Sequence, residues 1–207
     1  MQGRFITMEG GEGAGKSTMM DRVAEWLEQS GHRVIRTREP GGTELAEKLR
    51  DILLDRNSLL LSGMAELLLM FASRAQHLDE RIRPALARGD WVLCDRFTDA
   101  TWAYQGGGRG LPREHIETLE TLVHGDLQPD LTLLLDLPVE QGLRRASRRS
   151  QADRFEQESI EFFQRVREAY LERAAAAPGR FSVIDASRAL EEVWAQIQLV
   201  LRERLVS

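Results

Sequence analysis

Short apolar runs alternate with longer stretches of helical spacing along the chain. Phe5-Ile6-Thr7-Met8 predicts a buried strand that runs into glycines. Across residues 16–30, Val23, Ala24 and Leu27 share one helical face, and Ser30-Gly31 marks the stop. Val34-Ile35 predicts a second strand, ended by the turn signal Arg38-Glu39-Pro40-Gly41-Gly42. Residues 44–55 have helical character. So do residues 66 to about 83, where Leu67, Met70, Phe71, Leu78 and Ile82 fall near helical spacing. The runs 91–94, 131–135 and 181–184 predict three more strands, each followed by an aspartate: Asp95, Asp136 and Asp185. Helical patterns fill 113–124, 139–148, 159–176 and 189–205, with no repeat and no long linker.

Strand–helix alternation of this kind predicts an α/β domain, a five-stranded parallel sheet with helices on both faces. In such sheets ligands bind at the carboxyl ends of the strands. Here those ends carry Glu9, Arg38-Glu39, Asp95-Arg96, Asp136 and Asp185. The 207 residues fit one domain, 1–207. A hydrophobic fraction of 42% beside 29% charged residues excludes disorder. A net charge of -5 argues against a dedicated binder of nucleic-acid polymers. Cys94 is the only cysteine, so no internal disulfide forms, which fits a reducing, cytoplasmic setting. The N-terminus lacks the apolar run of a secretion signal, and every apolar run is far shorter than the ~20 residues of a membrane span.

Between the first strand and the first helix lies Gly10-Gly11-Glu12-Gly13-Ala14-Gly15-Lys16-Ser17-Thr18, a full match to G-x-x-x-x-G-K-[ST] in its confirming context. Glycines let the backbone N–H groups converge on an anion. The helix that starts near Lys16 adds the positive end of its dipole. Lys16 supplies a point charge for the β- and γ-phosphates of a nucleoside triphosphate, and Ser17 a hydroxyl for Mg²⁺. Lys16 and Lys48 are the only lysines among 28 basic residues, a bias that reads first as overall composition. The Asn-Lys-x-Asp base motif of GTPases is absent, and the chain is short for a motor. Small-molecule kinases remain.

Further motifs follow in order: Thr37-Arg38-Glu39-Pro40-Gly41-Gly42-Thr43, then Arg50, then Phe71-Ala72-Ser73-Arg74, then the stretch from Asp95-Arg96 through Thr101-Trp102-Ala103-Tyr104-Gln105 to Gly110. Together with the phosphate loop they resemble the thymidylate kinase family over the whole chain. The resemblance implies a P-loop NTPase fold with a short lid. It implies transfer of the γ-phosphoryl of ATP to dTMP with Mg²⁺, giving dTDP, and a homodimer. In its terms Arg96 and Arg50 hold the acceptor phosphate from two sides. Asp95 holds Mg²⁺, with Asp136 as the rival. Arg74, Thr101 and Gln105 read the thymine edge. Phe71 stacks on the base, although in many relatives the aromatic stands where this chain has Met70. Glu12 meets the deoxyribose 3′-hydroxyl, and Tyr104 crowds the 2′ position against ribonucleotides. Cys94 and the four histidines receive no role.

The family places an arginine in either the phosphate loop or the lid. The loop has none here, so the resemblance implies the bacterial pattern, a lid over about 142–156. Arg149 is the first choice, with Arg148 and Arg154 as alternates, and Arg144 and Arg145 are taken as a solvated helix end.

Overall fold

The computed structural model describes residues 3–55, 61–147 and 154–205. Five strands, β1 (Phe5–Glu9), β2 (Val34–Arg38), β3 (Trp91–Asp95), β4 (Leu131–Asp136) and β5 (Phe181–Asp185), form one parallel sheet in the order β2-β3-β1-β4-β5. Ile6 pairs in register with Leu93 on one side and Leu131 on the other, so β1 is central. The strand order reverses at β1, and its carboxyl end opens into the crevice where α/β sheets bind ligands.

Alternation along the strands divides the core. Ile6, Met8, Leu93, Leu131, Leu133 and Leu135 face α1 (Lys16–Gln29) and α9 (Leu190–Leu205), packing on Met19, Val23, Leu27, Ile197 and Leu201. On the other face, Phe5, Val92 and Cys94 pack on Leu78 and Ile82, and Leu134 packs on Phe162, Val166 and Tyr170 of α8 (Ile160–Ala176). Each fully buried aliphatic side chain contributes roughly 1.5–3 kcal/mol. The remaining helices include α2 (Glu44–Leu54), capped by the Thr43 hydroxyl, α6 (Arg113–His124) and α7 (Val139–Ala146).

Two segments depart from the sequence expectation. The helix expected over 66–83 starts earlier and runs further, as α3 (Gly63–His77), a π-helical turn over Leu78–Ile82, and α4 (Arg83–Ala87). Ser62 caps its start through a bond from the Ala65 N–H. Pro84 near its far end cannot donate to the ladder, and the wider π turn precedes it. Residues 98–108, to which the sequence pattern assigns no element, form α5 (Thr98–Thr101) and a second π segment, Trp102–Gly108. The glycines there serve close packing. A Cβ at Gly107 would lie 2.6 Å from that of Ala169, and one at Gly108 would lie 2.5 Å from the Phe162 ring.

Candidate active site

The loop from Gly10 to Gly15 is built on left-handed backbone, with φ of 138° at Gly10, 69° at Gly13 and 91° at Gly15. A Cβ at Gly13 would also strike the Gly142 carbonyl of α7. Gly15 is the N-cap of α1 and offers no side chain to the helix's first N–H groups. Those groups are left for an anion. The Lys16 Nζ donates to the carbonyls of Gly10 (3.1 Å) and Gly11 (3.0 Å), which folds the side chain back along the loop. Burial, and then the Arg96 charge, hold its pKa below the ordinary lysine value. A bound polyphosphate would reverse that shift.

Opposite the loop, β3 ends in Asp95 and Arg96. Arg96 is the one non-glycine residue at positive φ (69°) among the described residues. Such backbone costs of order 1–3 kcal/mol and persists where the surroundings enforce it. Here they do. The Arg96 N–H donates to the Met8 carbonyl (3.0 Å). Its guanidinium donates to Glu12 Oε1 (2.7 Å) and to the Tyr170 hydroxyl (3.3 Å), and lies over the Tyr104 ring. The Tyr104 hydroxyl donates to the same Glu12 oxygen (2.7 Å). Burial pushes the Glu12 carboxyl upward, but the Arg96 and Lys16 charges and these two bonds outweigh it and hold the pKa at about 2. Beneath this group, Glu9 accepts from the Phe97 N–H (2.7 Å) and the Tyr170 hydroxyl (2.8 Å). Its burial, helped by the Asp99 charge, raises its pKa to about 8.

One cavity joins these parts. It is lined by the loop from Glu12 through Ser17, by Arg50, Asp95 and Arg96, and further in by Met70, Arg74, Thr101, Tyr104 and Gln105. Arg50 donates to the Pro40 carbonyl (2.8 Å). Arg74 is buried and held by Glu39 (2.7 Å), the Phe97 carbonyl (3.3 Å) and the Thr101 hydroxyl (3.0 Å). Glu39 also meets His77 Nδ1 (3.0 Å) and ends at a cis peptide to Pro40. Burial opposes ionisation of Glu39, but Arg74 and His77 keep its pKa below the ordinary value.

Two buried polar atoms have no partner among the described residues, Arg74 Nη1 and Asp95 Oδ1, and both belong to residues lining this cavity. Asp95 and Ser17 line the same cavity, and their oxygens are a donor set that suits Mg²⁺, which takes few protein oxygens and keeps water and phosphate ligands. Among the described residues no group of three or more His, Cys, Asp or Glu could hold a metal by itself. Asp136, the rival, does not line this cavity, and Arg167 engages both its oxygens (2.7 and 2.8 Å). Asp185 is bonded to Ser187 and Arg188, away from the cavity.

The structure corrects one residue of the base pocket. Phe71 is buried in a separate cluster with Leu67, Trp102 and Ile116, and its ring supports the Arg74 guanidinium from 4.7 Å. Met70 lines the cavity instead. Neighbouring helical residues point about 100° apart, so one of the pair faces in and the other away. Cys94 is buried, and burial raises its thiol pKa, which leaves it inert. Arg148 and Arg149 lie outside the described residues. Arg154 donates to the Leu53 carbonyl (2.9 Å) and to Glu66 (2.6 Å), at the base end. Sequence reasoning missed Glu66, Arg109 and Tyr170. A lone glutamate inside Ala65-Glu66-Leu67-Leu68-Leu69 was the available signal, since buried carboxylates are rare unless paired.

A parallel sheet with a glycine-rich phosphate loop at its switch point, facing arginines and a bare aspartate across one cavity, defines a P-loop enzyme of the NTPase fold. The thymidylate kinase family model matches residues 8–197. A thymidylate kinase of Chromohalobacter salexigens is 64% identical over 207 residues, covering 99% of this chain and 98% of its own. One from Alcanivorax borkumensis is 56% identical, covering 98% of each. The crystal structure of thymidylate kinase from Ehrlichia chaffeensis superimposes with a TM-score of 0.79 at 34% identity, covering 97% of this chain and 99% of that one. The chain belongs to the thymidylate kinase family and is an enzyme that phosphorylates dTMP to dTDP.

Proposed function

We propose that ATP donates the γ-phosphoryl to the 5′-phosphate of dTMP in this cavity, a step of dTTP biosynthesis. The observation that carries this reading is the single cavity shared by the Lys16–Ser17 cradle, the Asp95–Arg96 strand end and the Arg74–Gln105 pocket. Transfer between two anions needs little covalent chemistry from the protein, so positioning and charge stabilisation supply the rate.

The loop from Gly10 to Thr18 cradles the donor phosphates, with Lys16 on the β- and γ-phosphates. Arg96 and Arg50 hold the acceptor phosphate. Glu12 meets the deoxyribose 3′-hydroxyl, and Tyr104 fills the space a 2′-hydroxyl would need. Arg74, Thr101 and Gln105 read the thymine edge, where Met70 replaces Phe71 as the wall. Ser17 and Asp95 would hold Mg²⁺, which when bound would neutralise charge on the phosphates. The chain acts as one domain over 1–207, in the cytoplasm, as a homodimer. A lid over about 142–156 closes the site against water, and Arg149 meets the charge that develops in transfer. Arg154 is less suited to that role, since it is engaged with Leu53 and Glu66.

The test is ADP release from Mg-ATP with dTMP, dUMP, dCMP, dGMP and thymidine offered separately. Strong turnover with dTMP, weak turnover with dUMP and none with thymidine are expected. Turnover with thymidine would mean a nucleoside kinase and overturn the roles of Arg50 and Arg96. Turnover indifferent to every acceptor would leave only nucleotide binding, as in a P-loop switch.

A further inference from the structure

Glu66 is a carboxylate with no exposure, on an otherwise apolar stretch of α3, and it does not line the cavity. Its oxygens are fully engaged. Oε1 accepts from the Gln105 side-chain amide (2.8 Å) and Arg109 Nε (3.2 Å). Oε2 accepts from Arg154 Nη2 (2.6 Å) and Arg109 Nη2 (3.2 Å). Arg109 is itself held by Glu158 (2.5 Å). A buried carboxylate is weak evidence of stabilisation, because an apolar residue of similar size would often serve as well.

We propose that Glu66 is a positioning residue that sets the base specificity of the site by fixing which end of the Gln105 amide faces the cavity. The proposal rests on the reading of Gln105 as a base-edge contact. A carboxylate paired with two guanidiniums offers only acceptor atoms. The NH₂ end of Gln105 must therefore point to Glu66, and its carbonyl oxygen is left for the cavity that Gln105 lines. An acceptor there suits a pyrimidine that carries a proton on N3, as thymine and uracil do. It opposes cytosine, whose N3 presents a lone pair. Without Glu66 the amide would be free to flip and offer its NH₂ to cytosine. Rejection of a base by leaving a buried polar group unpaired is the strong form of specificity.

The experiment measures KM for dTMP and ATP, and inhibition by dCMP competing with dTMP, in the full chain. In Glu66→Gln the ratio of dCMP inhibition constant to dTMP KM is expected to fall at least about tenfold, with the ATP KM within about twofold. The double variant Glu66→Gln with Gln105→Glu restores the arrangement in reverse, because the amide introduced on α3 can then donate to a carboxylate that keeps an acceptor toward the base. It is expected to recover most of the preference. Glu66→Asp keeps the charge for both arginines but withdraws it from the amide, and a several-fold fall in the ratio is expected even if Glu66→Gln does not fold. An unchanged ratio in Glu66→Asp, or a double variant no better than the single, would overturn the proposal and leave Glu66 a packing element. Gln105→Ala separates the two readings. If it leaves dTMP binding unchanged, the base contact itself is wrong. If it weakens dTMP binding while the Glu66 variants keep their preference, only the role of Glu66 fails.

Discussion

The two ends of the cavity are built in different ways. The phosphate end is made of consecutive residues, Gly10 to Ser17, whose backbone curls on left-handed glycines and whose lysine folds back on its own loop. The base end is made of side chains from distant parts of the chain. Arg74 on α3 is held by Glu39 after β2 and by Thr101 on α5, and Gln105 is held by Glu66. The first arrangement needs only its own sequence and a strand–helix junction. The second needs four elements packed correctly, and each polar partner is buried with it. Loss at the phosphate end therefore removes charge stabilisation of the transfer, whereas loss at the base end removes recognition of one substrate and disturbs folding as well.

The largest test of this contrast is Lys16→Ala. A drop in kcat of roughly a hundredfold or more is expected, with little change in melting temperature. A loss smaller than that from Gln105→Ala would break the contrast. Next is Arg149→Ala, expected to lower kcat at least about tenfold, equivalent to ~1.4 kcal/mol of transition-state stabilisation, with a smaller change in KM. An unchanged kcat would move the role to Arg148 or Arg154.

At the base end, Gln105→Ala and Arg74→Ala are expected to raise the dTMP KM about tenfold while the ATP KM stays within about twofold. Arg74→Ala should also lower the melting temperature, because Glu39 is left buried with only His77. Removing one partner of such a pair costs about 3 kcal/mol. Equal rises in both KM values would mean that the acceptor pocket is misplaced.

A last set of effects is in the pH dependence of stability rather than in turnover. Glu9, raised to about 8 from an ordinary 4.5, stays protonated in the native state where the unfolded chain has lost its proton. Its contribution is complete below about 4.5 and lost as pH rises to about 8. Glu12, lowered to about 2, behaves oppositely, with a contribution present above about 4.5 and lost as pH falls toward 2. Melting curves should thus show Glu9→Gln gaining on the parent protein between pH 4.5 and 8. Glu12→Gln should lose most above pH 4.5. A Glu9→Gln difference that is flat with pH would contradict the buried, protonated state.

All five strands and most helices were legible in the chain, because apolar periodicity is a local property that burial rewards directly. The phosphate loop was legible for the same reason, since backbone donors and glycine conformations are set by neighbours in sequence. That the sheet is parallel followed from strand–helix alternation, whereas the place of β1 at its centre came only with the fold. Other features were decided only in three dimensions. Asp95 and Asp136 look alike in sequence, each an aspartate at a strand end, yet Arg167 on α8 takes both oxygens of one, while Asp95 keeps Oδ1 without a partner among the described residues. Met70 and Phe71 are adjacent, and the rotation of α3 against its neighbours determines which one faces the cavity. Residues 106–108 are all glycine and carry no apolar periodicity to read, and their close packing on α8 accompanies a helical segment there. Glu66 and Arg154 stand 88 residues apart, and their pairing exists only once α3 and the chain before α8 have packed. The sequence determines what each segment can form by itself. The folded chain determines which charge finds which partner, because a buried ion's surroundings come from residues far away along the chain.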